Sequence, residues 1–334
     1  MKLSRLGEFG LIERVRRRTV QGRGVNLGIG DDAAWVQTRS GSCLLTTDLL
    51  IEGVHFDLKW ISLYALGHKT LAVNMSDIAA MGGKPAYLLL SLGIPSTFES
   101  EDVEKYYRGI RSLALKSGVA LVGGDTSVAK SLFISACLIG HAPYRPITRG
   151  GAQVGDDIYV TGTLGDSALA LKLLRGKSLL FRKPAARFLL SRHHFPTARL
   201  RVGATLARNK LARAMIDVSD GLLQDLGHIC RASRIGAILV EEKLPLSAAY
   251  RSLAGREGTG YALSGGEDYE LLFCARRRDR SAIEKLEKGV GVPITRIGTC
   301  VPSRDGITVL DSNGRSLSFR GTGHDHFRGP VRTP

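Results

Sequence analysis

The sequence has few aromatic residues, no closely spaced cysteines and no long apolar run, and each shortage excludes a class of protein. Phe, Trp and Tyr make up 6% of the 334 residues, and no two of the five cysteines are spaced as a CxxC pair. This argues against a zinc knuckle and against a disulfide scaffold. No apolar run approaches the ~20 residues that span a bilayer, and the N-terminus lacks the apolar segment of a secretory signal. We therefore expect a cytoplasmic protein.

Positive charge, by contrast, is in excess. Lys and Arg number 47 against 31 Asp and Glu, a net charge of +16. Such an excess can indicate a nucleic-acid-binding surface. The basic residues, however, form short clusters without interleaved aromatic residues, and no RNP-type or zinc-finger pattern is present. Nucleic acid is therefore not the favoured partner, and a basic protein that handles anionic substrates is the simpler interpretation.

Short β-rich segments alternate with helical ones along the first half of the chain. The segments "SCLLTTD", "AYLLLSLGIP", "VALVGGD" and "LFISACLIGHA" predict strands, whereas "LYALGHKTLAVNMSDIAAMGG" and "ESEDVEKYYRGIRSLALKSG" predict helices. A linker rich in turn residues, "PYRPITRGGAQVGD", follows, and a second α/β set then runs to "RIGTC". We expect an α/β (α+β) protein with two domains, 1–150 and 151–328, and a frayed tail at 329–334.

Acidic residues gather beside glycines and near the predicted ends of strands. This set consists of Asp31, Asp32, Asp48, Asp125, Asp217, Asp220, Glu267 and Asp268, and Asp77 joins it from a predicted helix. The segments "VALVGGDTS" and "YALSGGEDYE" predict the same arrangement of strand, Gly-Gly and acid in both halves. Because like charges repel, so many acids together favour bound cations. Oxygen ligands without a His/Cys cluster favour magnesium or calcium over zinc.

Magnesium commonly binds through a few carboxylates together with substrate phosphates, which suggests a nucleotide. None of the usual phosphate-binding motifs fits. In "RGKSLL" the glycine of a P-loop would stand at position 171, which is Leu171. No GxGxxG opens a βαβ unit, and the kinase HRD and DFG motifs are missing. We expect phosphates to be held by metal ions and by glycine turns such as "VGGDTS".

Seven segments resemble the thiamine-monophosphate kinase family, in that family's order and spacing. They are "GIGDDAAW", "TTDLLIEGVHF", "LAVNMSDIAAMGGKPAYLLLSLGIP", "VGGDTS", "GDDIYVTGTLGDSALAL", "IDVSDGLLQDLGHI" and "LSGGEDYELLF". The resemblance implies a fold like aminoimidazole-ribonucleotide synthetase. In it the N-terminal domain forms a β-barrel with its twin in a homodimer, and the C-terminal α/β domain packs alongside. It also implies that ATP phosphorylates thiamine monophosphate to thiamine diphosphate with several Mg²⁺ ions.

The same resemblance implies roles for individual residues. Metal ligands would be Asp32, Thr46, Thr47, Asp48, Asp77, Asp125, Asp217 and Asp220, among which Asp48, Asp77 and Asp125 would be catalytic. ATP would contact Gly124, Arg149, Ser219 and Tyr107. The substrate would contact His55, Glu267 and His324, the last standing where the family has an aromatic residue. Imidazole can still stack on a substrate ring, but with less area.

The acceptor in such a reaction is a phosphate monoester with a second pKa near ~6, so it is largely deprotonated at neutral pH. No general base is then needed, and the expectation is direct in-line transfer without a phosphoenzyme. Other members of the superfamily remain alternatives. Selenophosphate synthetase needs a reactive cysteine or selenocysteine near the N-terminus, whereas the first cysteine here is Cys43. The hydrogenase-maturation protein ends in a cysteine, whereas this sequence ends in "VRTP". Aminoimidazole-ribonucleotide synthetase fits "SGGEDYELLF" less well, and a nucleic-acid-binding protein on the same scaffold is the rival of another class.

Overall fold

The computed structural model describes residues 7–19, 22–39, 41–176, 183–255 and 258–317. Within them the chain forms two mixed β-sheets with helices packed against them, one sheet from each half of the sequence. The chain is thus a two-domain α/β protein, as expected. The limits proposed for the two domains remain a prediction.

The first sheet has the strand order β1-β2-β3-β6-β4-β5. Its strands are β1 Val25–Leu27, β2 Ala34–Thr38, β3 Gly41–Ile51, β4 Lys84–Ile94, β5 Ala120–Val128 and β6 Phe133–Ala142. Neighbouring strands are antiparallel except β4 and β5, which run parallel and leave β5 at the edge. The four strands predicted in the first half are confirmed.

The second sheet has the order β13-β12-β9-β11-β7-β10-β8. Its strands are β7 Asp157–Thr161, β8 Ala214–Asp217, β9 Ile235–Val240, β10 Leu271–Ala275, β11 Ile294–Pro302, β12 Ile307–Leu310 and β13 Ser316–Leu317. Strands β7, β8 and β10 are buried at every position, because both faces of the sheet are covered there. This sheet extends beyond the predicted end at "RIGTC".

The described α-helices lie between these strands in the sequence, except the first, which precedes β1. They are α1 Glu8–Arg18, α2 Leu63–Ala80, α3 Ser100–Ser117, α4 Asp166–Arg175, α5 Pro184–His194, α6 Leu200–Arg208, α7 Leu222–Ser233, α8 Ala248–Leu253, α9 Gly260–Ser264 and α10 Arg280–Val290. The two long helices predicted in the first half are confirmed as α2 and α3. Among the described residues, no helix combines the length and the apolar character needed to cross a membrane.

Helix α2 connects the two halves of the molecule. It begins at the cap residue Ser62, whose side chain accepts a hydrogen bond from the backbone N–H of Ala65. Fourteen of the 18 residues of the helix are buried, as expected of a helix that is apolar on most of its surface. It packs on the first sheet and on α3, and it also contacts α6 and β8 of the second half. Polar groups on α2 therefore lie between the two sheets.

Two glycines allow α2 and α3 to approach closely. A Cβ at Gly67 would lie 2.0 Å from the carbonyl oxygen of Tyr106, and one at Gly109 would lie 1.9 Å from that of Tyr64. We expect Gly109→Ala to lower the free energy of unfolding by about 1–3 kcal/mol, because the helices must separate. Denaturant unfolding measures this. The control is Gly289→Ala in α10, where no atom lies within 4 Å, and it should leave stability equal or raise it by about 0.5–1 kcal/mol. A stable Gly109 variant would contradict the close packing.

Within the part of the chain that the structure describes, helices cover the first sheet on one face only. Helices α2 and α3 pack on the side where alternate strand residues are buried, and the opposite side carries apolar side chains that remain open. Leu49, Tyr87, Leu89 and Phe133 share this open face through the pairing of β3, β6 and β4, and they are between 38% and 49% exposed. An apolar sheet face of this kind is unusual in a monomer.

One expected parallel between the two halves is wrong. The letters "YALS" form part of helix α9, and β10 begins only at Leu271, so Glu267 and Asp268 precede a strand instead of ending one. Asp48 and Asp125 lie inside β3 and β5 and not at their ends. The reason is that a short apolar run has no periodicity that separates helix from strand.

Candidate active site

Three carboxylates from distant parts of the sequence meet between the two sheets. Oxygen atoms of Asp32, Asp77 and Asp217 all lie within 4.8 Å of one another. Asp32 follows the glycine turn after β1, Asp77 lies on α2, and Asp217 ends β8. The sequence-based expectation that acids from both halves come together is thus met by these three. We call them the acid cluster.

Neighbouring hydroxyl groups hold the acid cluster in place. Thr46 Oγ1 donates to Asp77 Oδ2 at 2.5 Å, and Ser76 Oγ donates to Asp217 Oδ2 at 2.6 Å. The second of these bonds joins the two halves of the molecule. Asp32 Oδ2 is buried and has no hydrogen-bond partner among the described residues. A buried, unpartnered carboxylate oxygen is costly, and a cation beside it removes that cost.

The electrostatics of the acid cluster are unfavourable without a cation. Burial, together with the charges of Asp48, Asp217 and Asp32, raises the pKa of Asp77 well above its ordinary value. Burial and the charge of Asp32 raise the pKa of Asp217 to about 8. Burial and Asp220 likewise raise the pKa of Asp48 to about 6. The three-oxygen donor set, without nitrogen or sulfur, fits a hard divalent ion such as Mg²⁺.

Arg149 joins the acid cluster from the segment between the two sheets. Its Nη2 donates to Asp32 Oδ1 at 2.9 Å, and its backbone N–H donates to Asp31 Oδ2 at 3.0 Å. Burial and the charge of Asp32 raise the pKa of Asp31 to about 7. The paired aspartates of "GIGDD" therefore differ in role. Asp31 fixes the backbone, whereas Asp32 faces the cluster.

A backbone turn beside the cluster carries Ser219 and Asp220. The N–H groups of Ser219, Asp220 and Gly221 all donate to one oxygen of Asp225, at 3.0 to 3.2 Å. Gln224 Nε2 donates to Asp220 Oδ2 at 3.1 Å. Asp225, which is not among the site residues expected from the sequence, thus fixes the turn at the start of α7. Only its position six residues after Ser219 could have suggested this.

Four of the selected residues lie apart from the acid cluster within one chain. Gly124 and Asp125 are exposed on the edge strand β5. The pairing Asp48–Ala136, Ala136–Leu90 and Leu90–Gly124 places β5 three strands from β3, or roughly 14 Å at the usual strand spacing. Thr47 is exposed on the open face of β3. Tyr107 is half-buried on α3, its ring 5.7 Å from that of Tyr106.

A second group of polar residues surrounds Glu267. Lys69 Nζ lies 2.8 Å from Glu267 Oε1, and His193 Nδ1 lies 3.2 Å from Oε2. Ser167 Oγ lies 2.8 Å from the same His193 nitrogen. Burial alone would raise the pKa of Glu267, but the charge of Lys69 and the contact with His193 outweigh it and hold the pKa below its ordinary value. Glu267 is therefore charged at neutral pH.

The backbone around Glu267 is strained. Glu267 and Tyr269 have φ angles of 66° and 51°, in the left-handed region that side chains other than glycine rarely adopt. Each such residue costs roughly 1–3 kcal/mol and persists only where its surroundings fix it. Here the N–H of Glu267 donates to the carbonyl of Ser219 at 2.7 Å, and that of Tyr269 donates to the carbonyl of Val218 at 2.8 Å. Strain of this kind is typical of functional sites.

A pocket of about 130 Å³ lies beside this group. His55, selected from the sequence, lines it, and His55 Nδ1 accepts a hydrogen bond from the backbone N–H of Ile51 at 3.0 Å, which places the ring proton on Nε2. Other lining residues were not selected from the sequence, and they include Trp60, Lys69, Arg175, His193 and His194. Lys69 is the single basic Lys or Arg residue of helix α2, and this was a usable signal. His324 lies outside the described residues.

The chain belongs to the class of AIR synthase related proteins, which have an N-terminal and a C-terminal domain. Residues 30–142 match the N-terminal domain of AIR synthase related proteins, and residues 153–311 match the C-terminal domain. Thiamine-monophosphate kinase of Escherichia coli (strain K12) is 39% identical over 97% of this chain and 99% of that protein. That of Bacillus subtilis (strain 168) is 34% identical over 97% of this chain and 100% of that protein. The solved structure "AaThiL complexed with AMPPCP and TMP" superimposes with a TM-score of 0.85 at 36% identity, covering 97% of this chain and 99% of the other. The chain belongs to the thiamine-monophosphate kinase family.

Proposed function

We propose that the protein transfers the γ-phosphate of ATP to thiamine monophosphate, giving thiamine diphosphate and ADP. The observation that carries the proposal is the acid cluster, which combines Asp32 and Asp77 from one half with Asp217 from the other. The names of the relatives support the choice of substrates. The experiment is an ADP-release assay with ATP, Mg²⁺ and thiamine monophosphate, with thiamine as control. Release with the monophosphate and none above background with thiamine is expected. Equal release with both, or none with either, would contradict it.

The acid cluster would hold Mg²⁺, with further ligands around it. Beside Asp32, Asp77 and Asp217, the proposed ligands are Thr46, Thr47, Asp48, Asp125 and Asp220. Thr46 already contacts Asp77, and the charge of Asp220 contributes to the raised pKa of Asp48. When bound, the metal supplies positive charge that neutralises the two phosphorylated reactants. The repulsion between these polyanions is the main barrier in phosphoryl transfer.

The chain's own residues would then bind and align the reactants. Arg149 would contact an ATP phosphate through its guanidinium, as a fork of N–H donors that suits phosphate oxygens. Gly124, Ser219 and Tyr107 complete the proposed ATP contacts. The acceptor phosphate is largely deprotonated at neutral pH, since its second pKa is about 6, so no side chain needs to remove a proton. We propose direct in-line transfer, and a covalent phosphoryl-enzyme trapped with labelled ATP would refute that step.

The ring end of the acceptor would lie in the pocket beside Glu267. His55 would donate from Nε2, since its Nδ1 already accepts a bond from the backbone. Glu267 would accept hydrogen bonds as a carboxylate that remains charged. His324 would stack on the ring in place of an aromatic side chain.

We also propose the domain limits 1–150 and 151–328, with residues 329–334 as a tail, and a cytoplasmic location.

We propose that the protein works as a homodimer in which the first sheets of two copies close into a β-barrel. Three observations support this. First, the open face of the first sheet is apolar. Second, every residue of the edge strand β5 is exposed, and exposed edge strands tend to pair. Third, Asp125 lies roughly 14 Å from Asp48 along the sheet of one chain, so it would reach an acid cluster only from a second copy.

Leu89→Asp on the open face should convert the dimer to monomer, because it introduces a charge into an apolar interface. Light scattering coupled to size-exclusion chromatography measures the change. The matched control is Leu115→Asp, since Leu115 is 85% exposed on α3, away from that face. Loss of kinase activity together with the dimer would support Asp125 acting across the interface. A wild-type monomer would contradict the proposal.

A further inference from the structure

Lys69 is a buried lysine that forms an ion pair with Glu267. Its side chain is 2% exposed on helix α2. Lysine is almost never fully buried unless it is paired, because removing its ammonium group from water is costly. Its partner, Glu267, comes from the other half of the chain and retains 27% exposure. The ion pair thus joins a lysine that solvent does not reach to a carboxylate that a ligand can reach.

The second oxygen of Glu267 faces an imidazole. His193 Nδ1 lies 3.2 Å from Oε2 and 2.8 Å from Ser167 Oγ. Burial and the charge of Lys69 lower the pKa of His193, so the ring is neutral at pH 7. With its proton on Nδ1, His193 donates a hydrogen bond to the Glu267 carboxylate, and Ser167 Oγ is a second acceptor near the same N–H group. Glu267 is therefore restrained at both oxygens.

These contacts leave Glu267 able to bind a ligand. A carboxylate has about four acceptor positions, and Lys69 and His193 occupy two of them. Both residues also line the pocket that His55 and Trp60 enclose. The strained backbone at Glu267 fixes the start of its side chain. The position of the carboxylate beside the pocket is thus restrained by its own backbone, by Lys69 and by His193.

We propose that Lys69 and His193 are positioning residues that keep Glu267 charged and fixed in direction, so that its free lone pairs recognise the ring end of thiamine monophosphate. The inference rests on the proposed function and deepens it. Neither residue needs to touch the reacting phosphates. Their removal should therefore affect binding of the acceptor far more than binding of ATP.

Steady-state kinetics of Lys69→Met test the proposal, since methionine keeps the apolar stem and removes the charge. The KM for thiamine monophosphate should rise at least about 10-fold, the value of one lost charged hydrogen bond, while the KM for ATP changes little. The matched control is Lys59→Met, because Lys59 is exposed in the nearby loop, and it should leave both constants unchanged. Equal increases in both KM values in the Lys69 variant would indicate a merely structural role.

The pH profile provides a second readout. The ionisable groups facing Glu267 are Lys69 from α2, His193 and His194 from α5, and Tyr269 on its own loop. Without Lys69, burial raises the pKa of Glu267, and the carboxylate becomes protonated as the pH falls. In Lys69→Met, kcat/KM for thiamine monophosphate should therefore fall between about pH 7 and pH 5 more steeply than in the wild type. Parallel profiles would overturn the proposal.

A double-mutant cycle with Glu267→Gln separates action through Glu267 from any other effect. Lys69→Met added to Glu267→Gln should change the KM for thiamine monophosphate by less than about 2-fold, because the group it positions is already lost. Additive losses would overturn the proposal. If Lys69→Met does not fold, His193→Phe, which keeps a ring without the donor, takes its place in the cycle. Wild-type protein that does not phosphorylate thiamine monophosphate would overturn the proposed function as well, whereas active wild type with an unaffected Lys69 variant overturns this inference alone.

Discussion

Asp77→Asn is expected to lower kcat for phosphate transfer by at least about 10³-fold, because it removes one of the three carboxylates of the acid cluster. Asp77 lies among three other carboxylates. It is flanked by Asp32, Asp48 and Asp217, and all three raise its pKa. A neutral amide cannot balance the charge of a bound divalent ion. The ADP-release assay at saturating ATP and Mg²⁺ measures the loss.

The fold should survive this substitution. Asparagine has nearly the shape of a protonated aspartic acid, and its amide oxygen can still accept the hydrogen bond from Thr46. We expect an unchanged or higher thermal midpoint in the absence of metal. Asp305→Asn is the matched control, since Asp305 lies on the surface beside Arg304, and it should retain full activity. Wild-type turnover in the Asp77 variant would contradict the role of the acid cluster.

The sequence predicted the two long helices and four of the six strands of the first sheet, but not the short strands β1 and β2. The physical reason is that long elements carry longer signals. Helices α2 and α3 carry caps and long patterns, and their bounds match the expected segments. The short segment "YALS" carried no periodicity, so it was assigned to a strand although it is helical. Local propensity decides long elements, whereas tertiary contacts decide short ones.

The residues of the acid cluster could be predicted from the sequence, but which of the candidate acids lie close together in one chain could not. Glycine neighbours and the family resemblance selected Asp32, Asp77 and Asp217, and the structure brings these three together. The same signals selected Asp125, which lies on an exposed edge strand of the same chain. Spacing along one sequence does not reveal whether a residue acts within its own chain or in a second copy.

The residues around Glu267 illustrate a different limit. Lys69 and His193 are 124 positions apart in sequence, and they meet only because α2 packs against the second half. No local pattern links a lysine in an apolar helix to a histidine at the end of another. A buried lysine nevertheless needs a carboxylate partner somewhere, so a charge in the middle of a buried helix is itself a signal for a distant acid.

Asp217→Asn is expected to stabilise the metal-free protein at alkaline pH. The pKa of Asp217 is raised in the folded state to about 8 from an ordinary value of 3.8, so the folded state binds a proton more tightly than the unfolded chain does. The free energy of unfolding of the wild type therefore falls as the pH rises from about 4 to about 8. The asparagine side chain is uncharged at every pH, so it does not cause this loss of stability as the pH rises. The variant should exceed the wild type by about 1–4 kcal/mol near pH 8 in EDTA, and the difference should shrink toward pH 5.

Excess Mg²⁺ should reverse this order. The wild type gains stability in proportion to the logarithm of metal concentration, about 2.7 kcal/mol at 100 times the dissociation constant, whereas the variant lacks one ligand and gains less. Thermal or denaturant unfolding at two pH values, with EDTA and with Mg²⁺, measures all four conditions. If Asp217→Asn were less stable than the wild type in EDTA at pH 8, the hydrogen bond from Ser76 would outweigh charge repulsion. The three carboxylates would then be a structural network and not a cation site. A cluster that costs stability when empty and contributes stability when occupied is the physical signature of a binding site, because folding has been made to depend on the ligand.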